Sequence, residues 1–442
     1  MKKRLIPFIT VILLIFSIFS PLTFAEEEAT KEPDPIPEVK AQHVVMLNLN
    51  TGADVYTKSP DEKAYPASLT KLITLLVASE HVTDYSQIVT IDKKLCWEDL
   101  VIGSSNIDLK DEEQLTIEDL MYAVAISSGN DAANALAIHL CGTKEAFVDE
   151  MNKKAKELGA LNTNFVNTHG LHDENHYTTA HDMAIISRAA FENEQVLKYI
   201  SASTHTIPVT NKTLKERDLV TTNKLMRAHE SVYYKYCKAG KTGTTTAAGY
   251  NLISYAEKGD VSFLVVAMNA PKESGNANPI FSDSRSLYIW GFDNYTNTKI
   301  LDDAEIVTEI KVKLSAKGDH LVLIPQKNLY AVIPNSWDIS VLEKEITTKK
   351  NIKAPINQGD VLGTIELKKD GIVYGTANLV ASTDVKRSTV LHILDKTETF
   401  FRNPYIIAIC IIFAILIIIY IVVMISQNRK KRKKKLRNRI RF

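Results

Sequence analysis

The apolar positions of this chain fall into three textures. Near the start, His43–Leu49 and Ala53–Lys58 are strand-like runs on either side of Asn50-Thr51-Gly52, a pattern that predicts a hairpin. Helical spacing follows. Ser68–Glu80 places Leu69, Leu72, Ile73, Leu76 and Val77 on one stripe, and Ile117–Ala125 and Asp131–Leu140 are joined through Ser127-Ser128-Gly129-Asn130. Phe147–Leu158 and Thr179–Phe191 read as further helices. Strand texture returns at Lys238–Thr244, Tyr250–Glu257 and Val261–Asn269, punctuated by Ala247-Ala248-Gly249 and Lys258-Gly259-Asp260, and Ser282–Phe292 closes the segment as a helix ending in Gly291. Strands at both ends with helices between them imply an α+β domain whose terminal strands share one sheet. Beyond Thr296 the runs shorten: Ile306–Leu314, Leu321–Leu323, Tyr330–Ile333, Val361–Leu367 and Ile372–Asn378, separated by turns, predict a small all-β domain.

Two uncharged stretches differ from this pattern. Lys2, Lys3 and Arg4, the apolar run after them, Pro21 and the small-residue end Thr23-Phe24-Ala25 form a secretory signal over residues 1–25. At the other end Ile406–Ile425 is apolar for the length of a hydrocarbon core, and ten basic residues follow between Arg429 and Arg441. The positive-inside bias then puts the C-terminus in the cytoplasm and the body outside. The expected order is 1–25 signal peptide, 26–37 proline-rich lead-in, 38–296 main domain, 297–395 all-β domain, 404–426 transmembrane helix and 427–442 cytoplasmic tail.

Charge sharpens this picture. The whole chain carries a net +1, but both basic ends set aside, residues 26–428 hold 40 basic and 52 acidic groups, a net of −12. Such a body is repelled by phosphate backbones, which argues against nucleic acid as a partner. Cys96, Cys141 and Cys237 are too few for a disulfide framework, although one pair among them stays open; Cys410 lies in the span. His169, His172, His176 and His181 cluster without a metal-ligand spacing, so no metal is expected.

Three motifs carry candidate chemistry: Ser68-Leu69-Thr70-Lys71, Ser128-Gly129-Asn130 and Lys241-Thr242-Gly243. Ser68 and Lys71 lie one helical turn apart, so an amine held neutral by burial and a second cation can take the serine proton. In the interhelix turn, Ser128 offers a hydroxyl to pass a proton and Asn130 an amide to hold a carbonyl. The strand at Lys241 offers main-chain hydrogen bonds to an extended peptide, with Gly243 permitting close approach, and Lys241 and Thr242 suit a terminal carboxylate.

In this order, and with the surrounding wording, the motifs resemble the D-alanyl-D-alanine carboxypeptidases, the low-molecular-weight penicillin-binding proteins. Pro66–Lys71, Gly103-Ser104-Ser105, Ser128–Ala133, Asn167-Thr168-His169-Gly170-Leu171, Thr178–Met183, Ala248–Leu252 and Trp290-Gly291-Phe292 carry the likeness. It implies a penicillin-binding, serine β-lactamase-like transpeptidase domain with an antiparallel sheet and helices, and a following β-rich domain suits the family; the position of that domain next to the anchor makes it a spacer from the membrane. It also implies catalysis without a cofactor. Ser68 attacks the bond between the last two D-alanines of a peptidoglycan stem peptide with Lys71 as base, and Ser128 or Lys241 protonates the leaving D-alanine. Asn130, Lys241, Thr242, Gly243 and Thr244 bind substrate, and backbone N–H groups of Ser68 and Thr244 hold the oxyanion. β-Lactams acylate the same serine. Two features depart from some relatives: Thr244 stands where they have histidine, and the C-terminal helix spans rather than lies on the membrane. A class A β-lactamase would need a water-activating glutamate, for which Leu161–Leu171 supplies no equivalent.

Overall fold

The computed structural model describes residues 34–272 and 278–439; the expected signal segment lies outside them. One compact unit contains residues up to Thr298 together with Tyr330–Leu342 and Lys369–Tyr374. Its centre is a five-stranded antiparallel sheet of β1 (His43–Asn48), β2 (Asp54–Lys58), β3 (Cys237–Thr245), β4 (Gly249–Lys258) and β5 (Val261–Ala270), in the order β2-β1-β5-β4-β3. The first hairpin therefore pairs with the last strand of the set, with Val45 opposite Val266, as the terminal-strand argument expects.

The two-residue period of a strand sorts the core into two layers. Val45, Leu47, Ile253, Leu264, Val266 and Met268 pack on one face with the helical body; Val44, Met46, Leu252, Phe263, Val265 and Ala267 pack on the other. Because both faces are covered, β5 is buried along most of its length. This is why its sequence is a nearly unbroken apolar run. The helical body is α1 (Lys71–His81), α2 (Ile117–Ala125), α3 (Asn130–Cys141), α4 (Lys144–Leu158) and α5 (Ala180–Glu192). The opposite layer is α6 (Ile280–Asn294), whose Ile280, Leu287 and Tyr288 meet Phe263 and Val265. Gly291 lies inside α6 rather than ending it: a Cβ there would stand 3.0 Å from the Phe263 ring, so the glycine serves helix-on-sheet packing. Val332 is buried in the same layer, and Asn48 Nδ2 donates to its carbonyl at 3.0 Å, which explains why part of the segment read as β domain belongs with this unit.

α1 is apolar on nearly every side, with Leu72, Ile73, Leu75, Leu76, Val77 and Ala78 all buried, the mark of a central helix. It does not begin at Ser68 as its periodicity predicts. Ala67–Thr70 is a separate 3₁₀ turn, and the α-helix starts at Lys71. Ala67 enters that turn at φ 49°, a left-handed conformation that helical periodicity cannot signal.

The second unit contains a five-stranded antiparallel sheet ordered Thr308–Lys311, His320–Pro325, Ile372–Ala381, Val361–Lys369, Glu343–Thr348. Periodicity does not mark Glu343–Thr348 as a strand, because it is an exposed edge whose charged residues hide its period. After the β domain, Thr389–Phe401 forms α7, capped by Ser388 accepting from Leu391 N. Val390, Ile393, Leu394 and Phe401 recur at helical spacing but stay exposed, while Asp395 pairs with Lys353 at 2.9 Å. α8 (Pro404–Arg439) follows and contains a stretch long and apolar enough to cross a membrane. The four cysteines are free.

The two-layer core makes Phe263 a test of the packing. It is fully buried, with ring centroids 5.1 Å from Phe292 and 5.7 Å from Tyr295. Phe263→Ala is expected to cost about 3–5 kcal/mol in denaturant unfolding; a loss below about 1 kcal/mol would contradict a close-packed second layer.

Candidate active site

The three motifs meet where the 3₁₀ turn, the N-terminus of α3 and the strand β3 converge. Lys71 Nζ lies 3.1 Å from Ser68 Oγ, 2.6 Å from Asn130 Oδ1 and 2.7 Å from the His169 carbonyl oxygen. Lys71 is fully buried and Ser68 half-buried, so the amine sits behind the hydroxyl. Burial drives the Lys71 pKa well below the usual lysine range; the positive charge of Lys241 lowers it further, and Asp131 partly opposes both. Burial also lowers Lys241, to about 7.

Each group is placed by local structure. Asn130 is the first residue of α3; its N–H donates to the Ser105 carbonyl at 2.9 Å. The neighbouring Asp131 carboxylate collects the N–H groups of Ile107, Leu109 and Ala132 at 2.9–3.2 Å. That pins the 105–109 segment against the helix. Ser128 turns the chain at φ 60°, and its buried hydroxyl has no hydrogen-bond partner among the described residues. It is thus available to a ligand or to a reacting proton.

β3 brings Lys241, Thr242, Gly243 and Thr244 along the edge of the sheet, paired with Ile253, Leu252, Asn251 and Tyr250. A Cβ on Gly243 would stand 2.8 Å from the Pro66 carbonyl and 3.0 Å from Ser68 N, so only glycine lets the strand come this close to the serine turn. Lys241 Nζ donates to the Thr242 carbonyl at 3.0 Å, and the Thr242 and Thr222 hydroxyls are 2.5 Å apart. Thr244 is exposed. Asn251 reaches from β4 to donate to the Tyr65 and Pro66 carbonyls at 2.9 and 3.2 Å.

The fourth wall is the loop before α5. His169 presents its carbonyl to Lys71, while its ring is fixed from both sides: Leu171 N donates to Nδ1 at 3.2 Å, leaving Nε2–H for Asp99 at 3.2 Å. Burial would raise Asp99, but His169 and Lys144 carry it down to about 2. Burial likewise lowers His169, against the pull of Asp99.

The structure therefore brings Ser68, Lys71 and Asn130 into direct contact and sets Gly243 against the same turn. Motif reading alone does not identify His169 as the third partner of Lys71, because a backbone carbonyl leaves no residue-type signature. Asn251 is carried only by the wording of the segment around β4, and Thr222 lies in no motif at all. His176, from the histidine cluster, is buried and hydrogen-bonded beneath the turn.

Comparison with known proteins bears on the family. Residues 27–272 match the family model described as D-alanyl-D-alanine carboxypeptidase, and residues 295–387 match that of the penicillin-binding protein 5 C-terminal domain. The chain is 32% identical to D-alanyl-D-alanine carboxypeptidase DacF of Bacillus subtilis over 89% of its own length and 98% of that protein. It is 31% identical to DacC of Escherichia coli, covering 80% and 85% of the two chains. Among solved structures, penicillin-binding protein 5 from Haemophilus influenzae superposes with a TM-score of 0.61 at 31% identity, over 80% of this chain and all of that one. Motif order, site geometry and matches over most of the chain lead to one conclusion: this protein belongs to the D-alanyl-D-alanine carboxypeptidase family of low-molecular-weight penicillin-binding proteins.

Proposed function

We propose that Ser68 is the nucleophile and Lys71 its base in removing the terminal D-alanine from a peptidoglycan stem pentapeptide. The observation that carries this reading is the set of three contacts around the Lys71 amine. A neutral amine has two N–H donors and one lone pair. Asn130 Oδ1 and the His169 carbonyl are acceptors and take the donors, which leaves the lone pair for the Ser68 hydroxyl proton. Burial and the Lys241 charge favour that neutral form.

The reaction then has two halves. Ser68 Oγ bonds to the carbonyl carbon as its proton passes to Lys71, and the N–H groups of Ser68 and Thr244 receive the oxyanion. The C–N bond breaks as the proton taken by Lys71 is relayed through Ser128 or Lys241 to the departing amine, and D-alanine leaves with Lys71 neutral again. Water then attacks the ester and restores Ser68. Lys241 and Thr242 hold the terminal carboxylate, Asn130 a substrate carbonyl, and the edge of β3 at Gly243 and Thr244 the extended backbone. β-Lactams open on the same serine and form the corresponding ester.

The same reading makes residues 1–25 a secretory signal, 38–296 the catalytic domain and 297–395 the module preceding a single span at 404–426. The body faces outward and the basic tail 427–442 inward, at the cell membrane, in wall maturation that bears on cell shape. The apolar α8 and the charge cluster after it support this orientation.

Three outcomes follow. Ser68→Ala and Lys71→Met should each lower D-alanine release from a pentapeptide by roughly 10⁴-fold or more, the scale of losing one member of a nucleophile–base unit; release by S68A at the parent rate would refute the assignment. The pH profile of kcat/KM should rise as Lys71 loses its proton and fall as Lys241 loses its charge near pH 7, since an ammonium is charged only below its pKa. Lys241→Arg should move that falling limb to higher pH, and an unchanged limb would remove Lys241 from carboxylate binding. Finally, protease added outside intact spheroplasts should degrade the body and spare an epitope on the tail; a digested tail would reverse the topology.

A further inference from the structure

The loop that supplies the His169 carbonyl to Lys71 also reaches the other half of the pair. His176, at its far end, is 2% exposed and places Nε2 2.8 Å from Thr70 Oγ1. Thr70 Oγ1 in turn donates to the Ala67 carbonyl at 2.8 Å, and Val166 N–H donates to His176 Nδ1 at 3.2 Å. These contacts fix every proton in the chain. Nδ1 accepts, so Nε2 carries the hydrogen of the neutral ring. Thr70 has spent its own proton on Ala67, so it can only accept from Nε2. The result is one directional series from the loop backbone to the carbonyl immediately before the nucleophile.

That carbonyl belongs to the strained residue. Ala67 has φ 49°, a conformation an alanine adopts only when its surroundings impose it, at a cost of about 1–2 kcal/mol. The loop closes on it from the other side as well. Gly170, at φ 88°, lies so near that a Cβ there would stand 1.8 Å from the Ala67 oxygen and 2.8 Å from Thr70 Oγ1. Phe165 meets the His176 ring edge-on, with centroids 5.5 Å apart, and fixes its plane. Burial lowers the His176 pKa to about 3, so the neutral tautomer the series requires persists through the physiological range. A hydrophobic residue at position 176 would fill the volume, yet it would leave the Thr70 oxygen without its donor.

We propose that the series Val166–His176–Thr70–Ala67 sets the register of the Ser68 turn against the Lys71 amine, making Thr70 and His176 positioning residues for acylation. This rests on the reading of Ser68 as nucleophile. The loop then governs both reacting groups: through His169 it places the amine, and through His176 it places the turn that bears the hydroxyl. A displacement near 1 Å of either is the kind of error that costs about 100-fold in rate.

The test measures the second-order rate of labelling by a fluorescent penicillin on the full chain in detergent, with the labelled serine mapped by mass spectrometry and thermal midpoints recorded in parallel. Thr70→Val is isosteric and removes only the hydroxyl; Thr70→Ser restores it. His176→Leu removes the donor, and His176→Gln restores an N–H able to reach the same oxygen. Thr70→Val and His176→Leu should each label Ser68 about 10- to 100-fold more slowly, with Thr70→Ser and His176→Gln within about 3-fold of the parent. The double variant T70V/H176L should be no slower than the worse single one, because one series is cut once or twice with the same result. Parent-like labelling by Thr70→Val with only a lowered thermal midpoint would overturn the proposal, and so would losses that multiply in the double variant. If H176L does not fold, the Thr70 pair decides alone. Ser68 labelled at equal rates throughout rejects the positioning series and leaves the nucleophile standing, whereas a label on another serine rejects both.

Discussion

With Lys71 as the proposed base, everything in this site depends on keeping its amine uncharged in a place that water does not reach. An isolated ammonium in the interior carries a desolvation penalty of several kcal/mol, so the deep burial of Lys71 favours loss of its proton. A second buried cation-forming group, Lys241, pushes the same way. What remains is an amine whose two hydrogens are claimed by neutral acceptors, the Asn130 amide oxygen and the His169 carbonyl, and whose lone pair has one direction left. Had either acceptor been a carboxylate, the ammonium would have been stabilised and the base lost. Asp131, the carboxylate whose charge acts on Lys71, spends its oxygens on three backbone N–H donors instead.

The architecture serves that constraint. Ser68 and Lys71 come from one turn, but the groups that tune them come from α3, from β3 and from the loop before α5, separated by long stretches of chain. Two glycines make the convergence possible. Gly243 lets the edge strand touch the serine turn, and Gly170 lets the loop press on Ala67; at either position a methyl group would meet backbone at less than contact distance. The sheet contributes rigidity. With apolar layers on both faces of β5 and the first hairpin locked beside it, β3 is the far edge of a fixed body, open on one side to an extended peptide.

Much of this is legible in the sequence, and the parts that are not lie outside periodicity and residue type. The hairpin, the helix pair about Ser128 and the three-strand run were written in periodicity and turn residues, and the Ser68, Ser128 and Lys241 motifs in residue types. Periodicity places the start of α1 too early because the left-handed Ala67 and the 3₁₀ turn are imposed by the loop packed on them, not by local preference. Short elements such as Lys93–Trp97, Glu194–Ile200 and the Thr204–Ile207/Arg217–Val220 ladder are too brief to show a period. α7 carries helical spacing at Val390, Ile393, Leu394 and Phe401, but a single exposed helix after a run of strands leaves that spacing without a buried face to mark it. The role of His169 was invisible for a different reason: what acts is its backbone, and its side chain only holds that backbone still through Asp99.

The most direct test of the central claim is the charge of Lys71 itself, read by NMR of the Nζ and Cε resonances in protein carrying ¹³C,¹⁵N-lysine, assigned with Lys71→Met. The account predicts a neutral amine at neutral pH, titrating well below the range of exposed lysines. A Lys71 signal that stays ammonium-like up to the ordinary lysine pKa of about 10.4 would contradict it.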